Sequence, residues 1–201
     1  MSALLTPPLP VRTPPQARTY TVAEYHDLID RGVLTARDRV ELIDGILVDQ
    51  MPKNPPHESA IRRLTPRLVR LLPAGWVLGP QGPVTFAASE PEPDFSVARG
   101  TEADFDTRHP EPAEVGLLIE VSDFSLAFDR GDKLRVYARA GIPVYWIVNV
   151  IDRQIEVYTD PTGPATNPAY RTRTDYTAGQ SVPVVLDGTA VGAVAVSDAI
   201  A

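Results

Sequence analysis

Two almost entirely apolar runs, separated by a helical pattern, constrain the fold of this chain most strongly. Residues 117–121 read Leu-Leu-Ile-Glu-Val, and residues 144–150 are nearly all apolar. Strands of this composition are typical of sheets that are covered on both faces. Residues from about 130 to 140 have helical periodicity and end at Gly141, which gives a strand–helix–strand unit. The predicted fold class is therefore α/β, with a mixed central β-sheet flanked by helices.

Hairpins and further helices are predicted on both sides of this unit. Thr21 and Glu24 have capping-box spacing and predict a helix to about residue 31. Asp44-Gly45 predicts a tight turn between strands 40–43 and 46–49. A second helix is predicted over about 58–72, with a kink at Pro66. The remaining predictions are strands over 77–87 (interrupted at 79–83) and 93–98, a strand over 154–159 that pairs with 144–150 across the Asp152-Arg153 turn, a loop over 160–180, and a closing pair, 182–186 with 191–196.

Composition excludes several classes of protein. The chain of 201 residues has no cysteine, so disulfides, thiolate zinc sites and a cysteine nucleophile are excluded. It has no apolar run long enough to span a membrane and no signal pattern at its start, which predicts a cytoplasmic protein without a membrane partner. Prolines are dense at the start of the chain, so we predict a flexible arm over 1–18 and a single domain over 19–201.

The residue in this chain that most strongly indicates chemistry is Glu120, because it interrupts a strand that is otherwise apolar. A buried carboxylate costs several kcal/mol unless a cation, a basic side chain or a proton compensates it. Asp94 begins a short strand 26 residues earlier, and two acids on neighbouring strands can share a hard divalent cation. Lys133 is one of only two lysines, and the helix after the Glu120 strand can bring it back to that strand. Glu41, beside the Asp44-Gly45 turn, is a fourth member of this predicted cluster.

These residues occur in an order that resembles a known family. The series comprises Val40-Glu41-Leu42-Ile43-Asp44-Gly45, Pro55-Pro56-His57, Pro93-Asp94, Leu118-Ile119-Glu120-Val121, Asp129-Arg130-Gly131-Asp132-Lys133, and Tyr137 through Tyr145-Trp146-Ile147-Val148. It resembles the Uma-two family of restriction-endonuclease-like proteins, within the PD-(D/E)XK nuclease superfamily, over roughly residues 20–180.

The resemblance implies a restriction-endonuclease-like core with an N-terminal hairpin extension. It also implies a magnesium site formed by Asp94 and Glu120, with Glu41 as an additional catalytic acid. The superfamily pattern has its lysine two residues after the second acid, where this chain has Ser122. Lys133, from the following helix, would therefore stand in for that lysine.

Two further groups of residues have alternative interpretations. His57 is either an accessory base or phosphate contact near the metal, or a residue that packs locally at the start of the second helix. Arg63, Arg67 and Arg70 follow one face of that helix. They are either contacts for DNA phosphates or a solvated basic face.

The leading hypothesis is an endonuclease that hydrolyses DNA phosphodiester bonds with Mg²⁺ or Mn²⁺. In this hypothesis Asp94 and Glu120 bind the metal, Lys133 orients or activates the attacking water and Glu41 assists. The net charge of −7 motivates an alternative, a catalytically silent binding or scaffold protein in which the same groups form a closed ion-pair network. A third hypothesis is hydrolysis of RNA or another phosphodiester. Cleavage of both strands predicts a homodimer, with residues 144–159 as one candidate surface.

Overall fold

The computed structural model describes residues 18–200, and the central feature is a six-stranded mixed sheet. Its strand order is β3-β4-β5-β6-β7-β8; β5 and β6 are parallel, and all other neighbours are antiparallel. The helices and strands are, in chain order, α1 (Val22–Asp30), β1 (Val40–Ile43), β2 (Ile46–Asp49), α2 (Pro55–Leu71), β3 (Trp76–Pro80), β4 (Phe95–Arg99), β5 (Val115–Ser122), α3 (Leu126–Phe128), α4 (Leu134–Arg139), β6 (Val144–Asn149), β7 (Gln154–Pro161), β8 (Tyr170–Tyr176), β9 (Ser181–Leu186), β10 (Thr189–Ala195) and α5 (Val196–Ala199). A π-helical turn, Asp129–Lys133, joins α3 to α4, and Glu102–Phe105 is a 3₁₀ helix.

The local signals in the sequence explain the first elements. Thr21 caps α1: its hydroxyl accepts a hydrogen bond from the Glu24 backbone N–H at 3.1 Å, and the Glu24 carboxylate accepts one from the Thr21 N–H at 2.9 Å. Asp44 and Gly45 both have positive φ, 49° and 77°. This conformation matches the twist of a two-residue hairpin turn, and it joins β1 to β2 in the predicted register.

The two faces of the central sheet are covered by different layers, as the apolar strands predicted. On one face pack α2, the β9–β10 hairpin and α5. On the other face pack the helical segment from α3 to α4 and the β1–β2 hairpin. Every residue of β5 and β6 is buried, because both strands lie between these layers. The predicted α/β fold class, with a mixed sheet flanked by helices and an N-terminal hairpin, is confirmed.

Several predicted details are wrong. Residues 170–176, predicted as loop, form the edge strand β8, whose side chains are mostly exposed and polar. The strand predicted over 77–87 is confined to β3. The β6–β7 hairpin, suggested as a dimer surface, lies inside the sheet between β5 and β8, so its strands have no free edge to offer a second copy.

Two further predictions concern the ends of the chain and membranes. The predicted proline-rich arm falls almost entirely on residues 1–17, which lie outside the described residues. Within residues 18–200, none of the helices has the length and apolar character needed to cross a bilayer.

Candidate active site

A small cavity of about 80 Å³ opens where β4 begins and β5 ends. The β1 strand, the first turn of α2 and the π-helical turn also contribute to its wall. The lining contains seven carboxylates against two lysines and one histidine, namely Glu41, Asp49, Glu92, Asp94, Glu120, Asp123 and Asp129, with Lys53, Lys133 and His57. This excess of negative charge in a concave surface attracts cations.

The pairing of β4 with β5 brings Asp94 and Glu120 side by side. The antiparallel register matches Phe95 with Ile119, so Asp94 and Glu120 are the next positions across the two strands. Both side chains are buried. Oδ2 of Asp94 accepts a hydrogen bond from the Val121 backbone N–H at 2.8 Å, which fastens the carboxylate to the end of β5.

Lys133 lies between two carboxylates, one from the β1–β2 hairpin and one from the central sheet. Its Nζ is 3.0 Å from Oε1 of Glu120 and 3.2 Å from Oε2 of Glu41. Glu41 Oε2 also accepts a hydrogen bond from the Glu92 backbone N–H at 3.0 Å. Lys133 is the last residue of the π-helical turn, a type of helix irregularity that is frequent at functional sites. The four predicted catalytic residues therefore surround one cavity.

Tyr137 and Asp129 complete the polar groups around Glu120 and Lys133. The Tyr137 hydroxyl donates to Oε1 of Glu120 at 2.7 Å. Oδ2 of Asp129 accepts from the hydroxyls of Ser122 and Ser125, both at 2.6 Å. The serine at the position where the superfamily pattern has lysine thus binds the first residue of the turn that supplies Lys133.

The site combines deep burial with crowded charge, and both effects shift pKa values. Burial raises the pKa of Glu120 well above its ordinary value; Lys133 opposes this rise, and Asp129, Asp94 and Glu41 add to it. Burial likewise raises the pKa of Asp129. Burial alone would lower the pKa of Lys133, but Glu120, Glu41 and Asp129 together raise it. Lys133 is therefore an ammonium ion, and the single charge of this ion cannot balance four neighbouring carboxyl groups.

The donor chemistry of the site fits a divalent metal ion. Asp94, Glu120 and Glu41 each use one carboxylate oxygen in the contacts above, and the second oxygen has no hydrogen-bond partner in residues 18–200. Within the same residues, these second oxygens are not among the fully buried unpaired atoms, so they keep some contact with solvent, and all three residues line the cavity. Hard carboxylate oxygens are the ligands that Mg²⁺ and Mn²⁺ prefer. In the described part of the chain, no three acidic or histidine side chains are already gathered around one point. Lys133 lies between Glu41 and Glu120.

All of the site residues described above lie in the part of the chain that matches a known family. Residues 22–190 match the model of the Uma2 family, which is described as "Putative restriction endonuclease". The chain belongs to the Uma2 family. The resemblance inferred from the ordered motifs is thereby confirmed, and the family indicates a restriction-endonuclease-like nuclease.

A solved structure has the same fold as this Uma2 protein. The crystal structure described as a putative nuclease belonging to DUF820, from Anabaena variabilis, superposes with a TM-score of 0.63. The two sequences are 14% identical, and the match covers 89% of this chain and 96% of the other. At this identity the likeness establishes the fold alone. No curated protein matches the chain.

Sequence reasoning missed Asp129 and Tyr137 as site residues of this Uma2 protein. Both were part of the quoted motifs, but neither was assigned a role. The signal was present in their spacing, because Asp129, Lys133 and Tyr137 are each four residues apart and lie on one face of the helical segment. Ser122 was noted only as a departure from the lysine pattern, whereas it is the hydrogen-bond donor that positions Asp129.

The structure brings His57 to the site but not the three arginines. Nε2 of His57 is 3.1 Å from Oδ2 of Asp94, and its Nδ1 is a buried atom with no hydrogen-bond partner in residues 18–200. Arg67 is bound elsewhere, to Asp198 at 2.9 Å and to the Arg63 carbonyl at 2.8 Å. Arg63, Arg67 and Arg70 do not line the cavity; their contact with nucleic acid stays a prediction.

Proposed function

We propose that this Uma2 protein is an endonuclease that hydrolyses DNA phosphodiester bonds with Mg²⁺ or Mn²⁺ held by Asp94 and Glu120. The observation that carries the proposal is the meeting of Asp94, Glu120 and Lys133 at one acidic cavity, with carboxylate oxygens directed into it. When bound, the divalent ion would polarise a phosphate oxygen and lower the pKa of a water molecule.

Lys133 supplies positive charge in this mechanism. Because its pKa is raised by the surrounding carboxylates, it does not act as a base. Its ammonium hydrogen-bonds the attacking water and neutralises the negative charge that develops on the phosphate oxygens in the transition state. Glu41 acts through Lys133, because its carboxylate holds the ammonium on the side opposite Glu120.

His57 and Tyr137 are positioning residues for the two acids. His57 contacts Oδ2 of Asp94, the same atom that accepts from the Val121 N–H, so the other oxygen of Asp94 is directed toward the cavity. Tyr137 does the same for Glu120 by binding Oε1. Each acid thus has one oxygen held by protein donors and one left without a hydrogen-bond partner among residues 18–200, and such hydrogen bonds orient carboxylates that bind a metal.

The test is a plasmid-nicking assay with Mg²⁺ or Mn²⁺ on the wild type and on Asp94→Asn, Glu120→Gln, Lys133→Met and Glu156→Gln. The first three variants should lose activity by at least about 100-fold. Glu156 is the matched control, because it is a buried glutamate of the same sheet that does not line the cavity. Activity that persists in Glu120→Gln, or that falls equally in Glu156→Gln, would refute the site assignment.

A second measurement distinguishes the endonuclease from a catalytically silent scaffold. The contacts Lys133–Glu120 and His57–Asp94 are the observation that favours this alternative. A metal that binds only the folded protein stabilises it by mass action, by about 2.7 kcal/mol at one hundred times its dissociation constant. We expect Mg²⁺ to raise the melting temperature of the wild type relative to EDTA, and not that of Asp94→Asn. Equal melting temperatures in EDTA and Mg²⁺ for the wild type would favour the scaffold.

A further inference from the structure

The mouth of the cavity carries an aromatic side chain that the proposed chemistry does not use. Phe124 is 69% exposed, the highest value among the large apolar side chains of residues 18–200. It follows directly after β5 and lines the same cavity as Asp94 and Glu120. A phenylalanine with two thirds of its surface in water forgoes most of the stabilisation that burial would provide. Its place on the lining of the acidic cavity makes this ring available to a ligand bound there.

The backbone on both sides of Phe124 is fastened, so its exposure does not come from a loose loop. The Ser122 and Ser125 hydroxyls bind Asp129 at 2.6 Å. Asp123 accepts a hydrogen bond from the Asn54 side chain, and Asn54 in turn caps α2 by accepting from the His57 N–H at 3.1 Å. Phe124 is therefore presented to solvent by a rigid segment, which reduces the entropy cost of binding a ligand.

Two further exposed side chains line the same cavity. Met51 and Lys53, from the connection between β2 and α2, are exposed and line the same cavity. Lys53 forms no salt bridge within the described residues. The entrance thus offers an aromatic face, a thioether and a cation, whereas the floor of the cavity offers carboxylates.

We infer that Phe124 is a stacking platform for an unpaired nucleobase next to the scissile phosphate, so that the substrate is single-stranded or locally opened nucleic acid. The inference rests on the proposed endonuclease function. A phosphate that reaches the floor leaves its neighbouring base at the mouth, where a ring face attracts it. The acids and Lys133 are almost fully buried, and the cavity holds only about 80 Å³. A single strand enters such an opening, but a paired duplex keeps its bases stacked on one another and away from the ring.

The experiment measures the binding of a 12-nucleotide single strand containing 2-aminopurine to the full chain, in EDTA and in Mg²⁺. Phe124→Ala should weaken binding by about five- to one-hundred-fold and abolish the quenching of 2-aminopurine by stacking. Phe124→Trp should retain both. The matched control is Ile151→Ala, because Ile151 is 57% exposed and does not line the cavity. The same sequence as RNA identifies the sugar that is preferred, and dependence on Phe124 with either strand supports the inference.

Binding of a fully paired duplex of the same sequence is measured in parallel, so that its affinity can be compared with that of the single strand. The inference is overturned if Phe124→Ala leaves binding and quenching unchanged, or if the fully paired duplex binds more tightly than the single strand. If the plasmid assay detects metal-dependent nicking that Phe124→Ala does not alter, the stacking role fails and the endonuclease stands. If binding depends on Phe124 and no metal supports cleavage, the endonuclease fails and the stacking site stands.

Discussion

Two buried glutamates in one row of the central sheet have opposite surroundings. Glu120 in β5 pairs with Ile147 in β6, and Ile147 pairs with Glu156 in β7. The two carboxylates therefore lie on the same face of the sheet, two strands apart, with exposed fractions of 4% and 0%. The two sites share their backbone position and low solvent exposure, but Glu120 lies deeper in the protein than Glu156, so the contrast between the two sites reflects both depth and neighbours.

Glu156 has a full set of partners. Arg130 binds it with two guanidinium nitrogens, one of them at 3.0 Å; Asn149 donates at 3.0 Å, and the Tyr158 hydroxyl at 2.7 Å. Arg173 lies 3.3 Å away. Burial acts to raise the pKa of Glu156, but the hydrogen bonds from Arg130, Asn149 and Tyr158 prevail and lower it to about 2. This cluster is electrostatically closed.

Glu120 has one cation, and that cation is shared. Lys133 also binds Glu41, and three carboxyl groups, those of Glu41, Asp94 and Asp129, add to the rise in the pKa of Glu120 that burial causes. An ion pair that serves only stability satisfies its charges, as the one at Glu156 does. The excess negative charge around Glu120 is therefore not a general property of this sheet. It is confined to the cavity, where a divalent ion would compensate it.

The largest expected difference between the two sites is in the free energy of unfolding when each glutamate is neutralised. Glu156→Gln should lower the free energy of unfolding in EDTA by about 2 kcal/mol, because Arg130 and Arg173 lose their anion, although both are about one third exposed and water screens part of the loss. Glu120→Gln should change it by less than about 1 kcal/mol, since losing the contact with Lys133 is offset by relief of repulsion. Urea denaturation measures both, and equal losses would contradict the comparison.

A smaller effect on the free energy of unfolding is expected at low pH. The pKa of Glu156 falls from 4.5 to about 2 on folding, so its ionised form stabilises the folded state above pH 4.5, and that stability is lost as the pH falls toward 2. After allowance for water around the two arginines, the loss should be about 1–2 kcal/mol. Denaturation between pH 2 and 6 should detect this component in the wild type and in Glu120→Gln. It should be absent from Glu156→Gln, and a persistent component there would mean that another acid is responsible.

The smallest effect on the free energy of unfolding is expected from removing one tyrosine hydroxyl at each site. Tyr137 donates to Glu120 and Tyr158 to Glu156, both at 2.7 Å. Tyr137→Phe and Tyr158→Phe should each cost about 1 kcal/mol of unfolding free energy. Only Tyr137→Phe should also weaken the stabilisation by Mg²⁺, because it frees the Glu120 carboxylate to rotate. A change in the metal response of Tyr158→Phe would show that the two clusters are not independent.

The elements that the sequence predicted well are those whose signals are local. The Thr21–Glu24 cap, the Asp44-Gly45 turn and the apolar strands β5 and β6 were all identified from a few adjacent residues. β8 was missed because residues 170–176 are nearly all polar and show no alternation of apolar and polar side chains. The strand lies at the sheet edge, where pairing with the neighbouring strand rather than burial decides the structure.

The candidate site was predictable in part for the same reason. Asp94, Glu120, Lys133 and Glu41 stood out as polar residues beside apolar strands, and the structure brings them to one cavity. The four-residue spacing places Asp129 on the same face as Lys133, but its hydrogen bond with Ser122 was not predictable, because that contact forms only after the turn packs against β5. The pairing of β7 with β6 was predicted from the Asp152-Arg153 turn and is confirmed, but the contact between Arg130 and Glu156 depends on how the π-helical turn packs against the sheet, which no local pattern encodes.

The π-helical turn faces both clusters at once, with Arg130 directed to Glu156 and with Asp129 and Lys133 directed to the cavity. Each residue added to or removed from a helix rotates all that follows by about 100°. Deleting Gly131, which has open space around it, would therefore change the register between Asp129 and Lys133, and with it the alignment of Lys133 with both acids. The register of one short turn, rather than the sheet, sets whether the cation and the carboxylates meet.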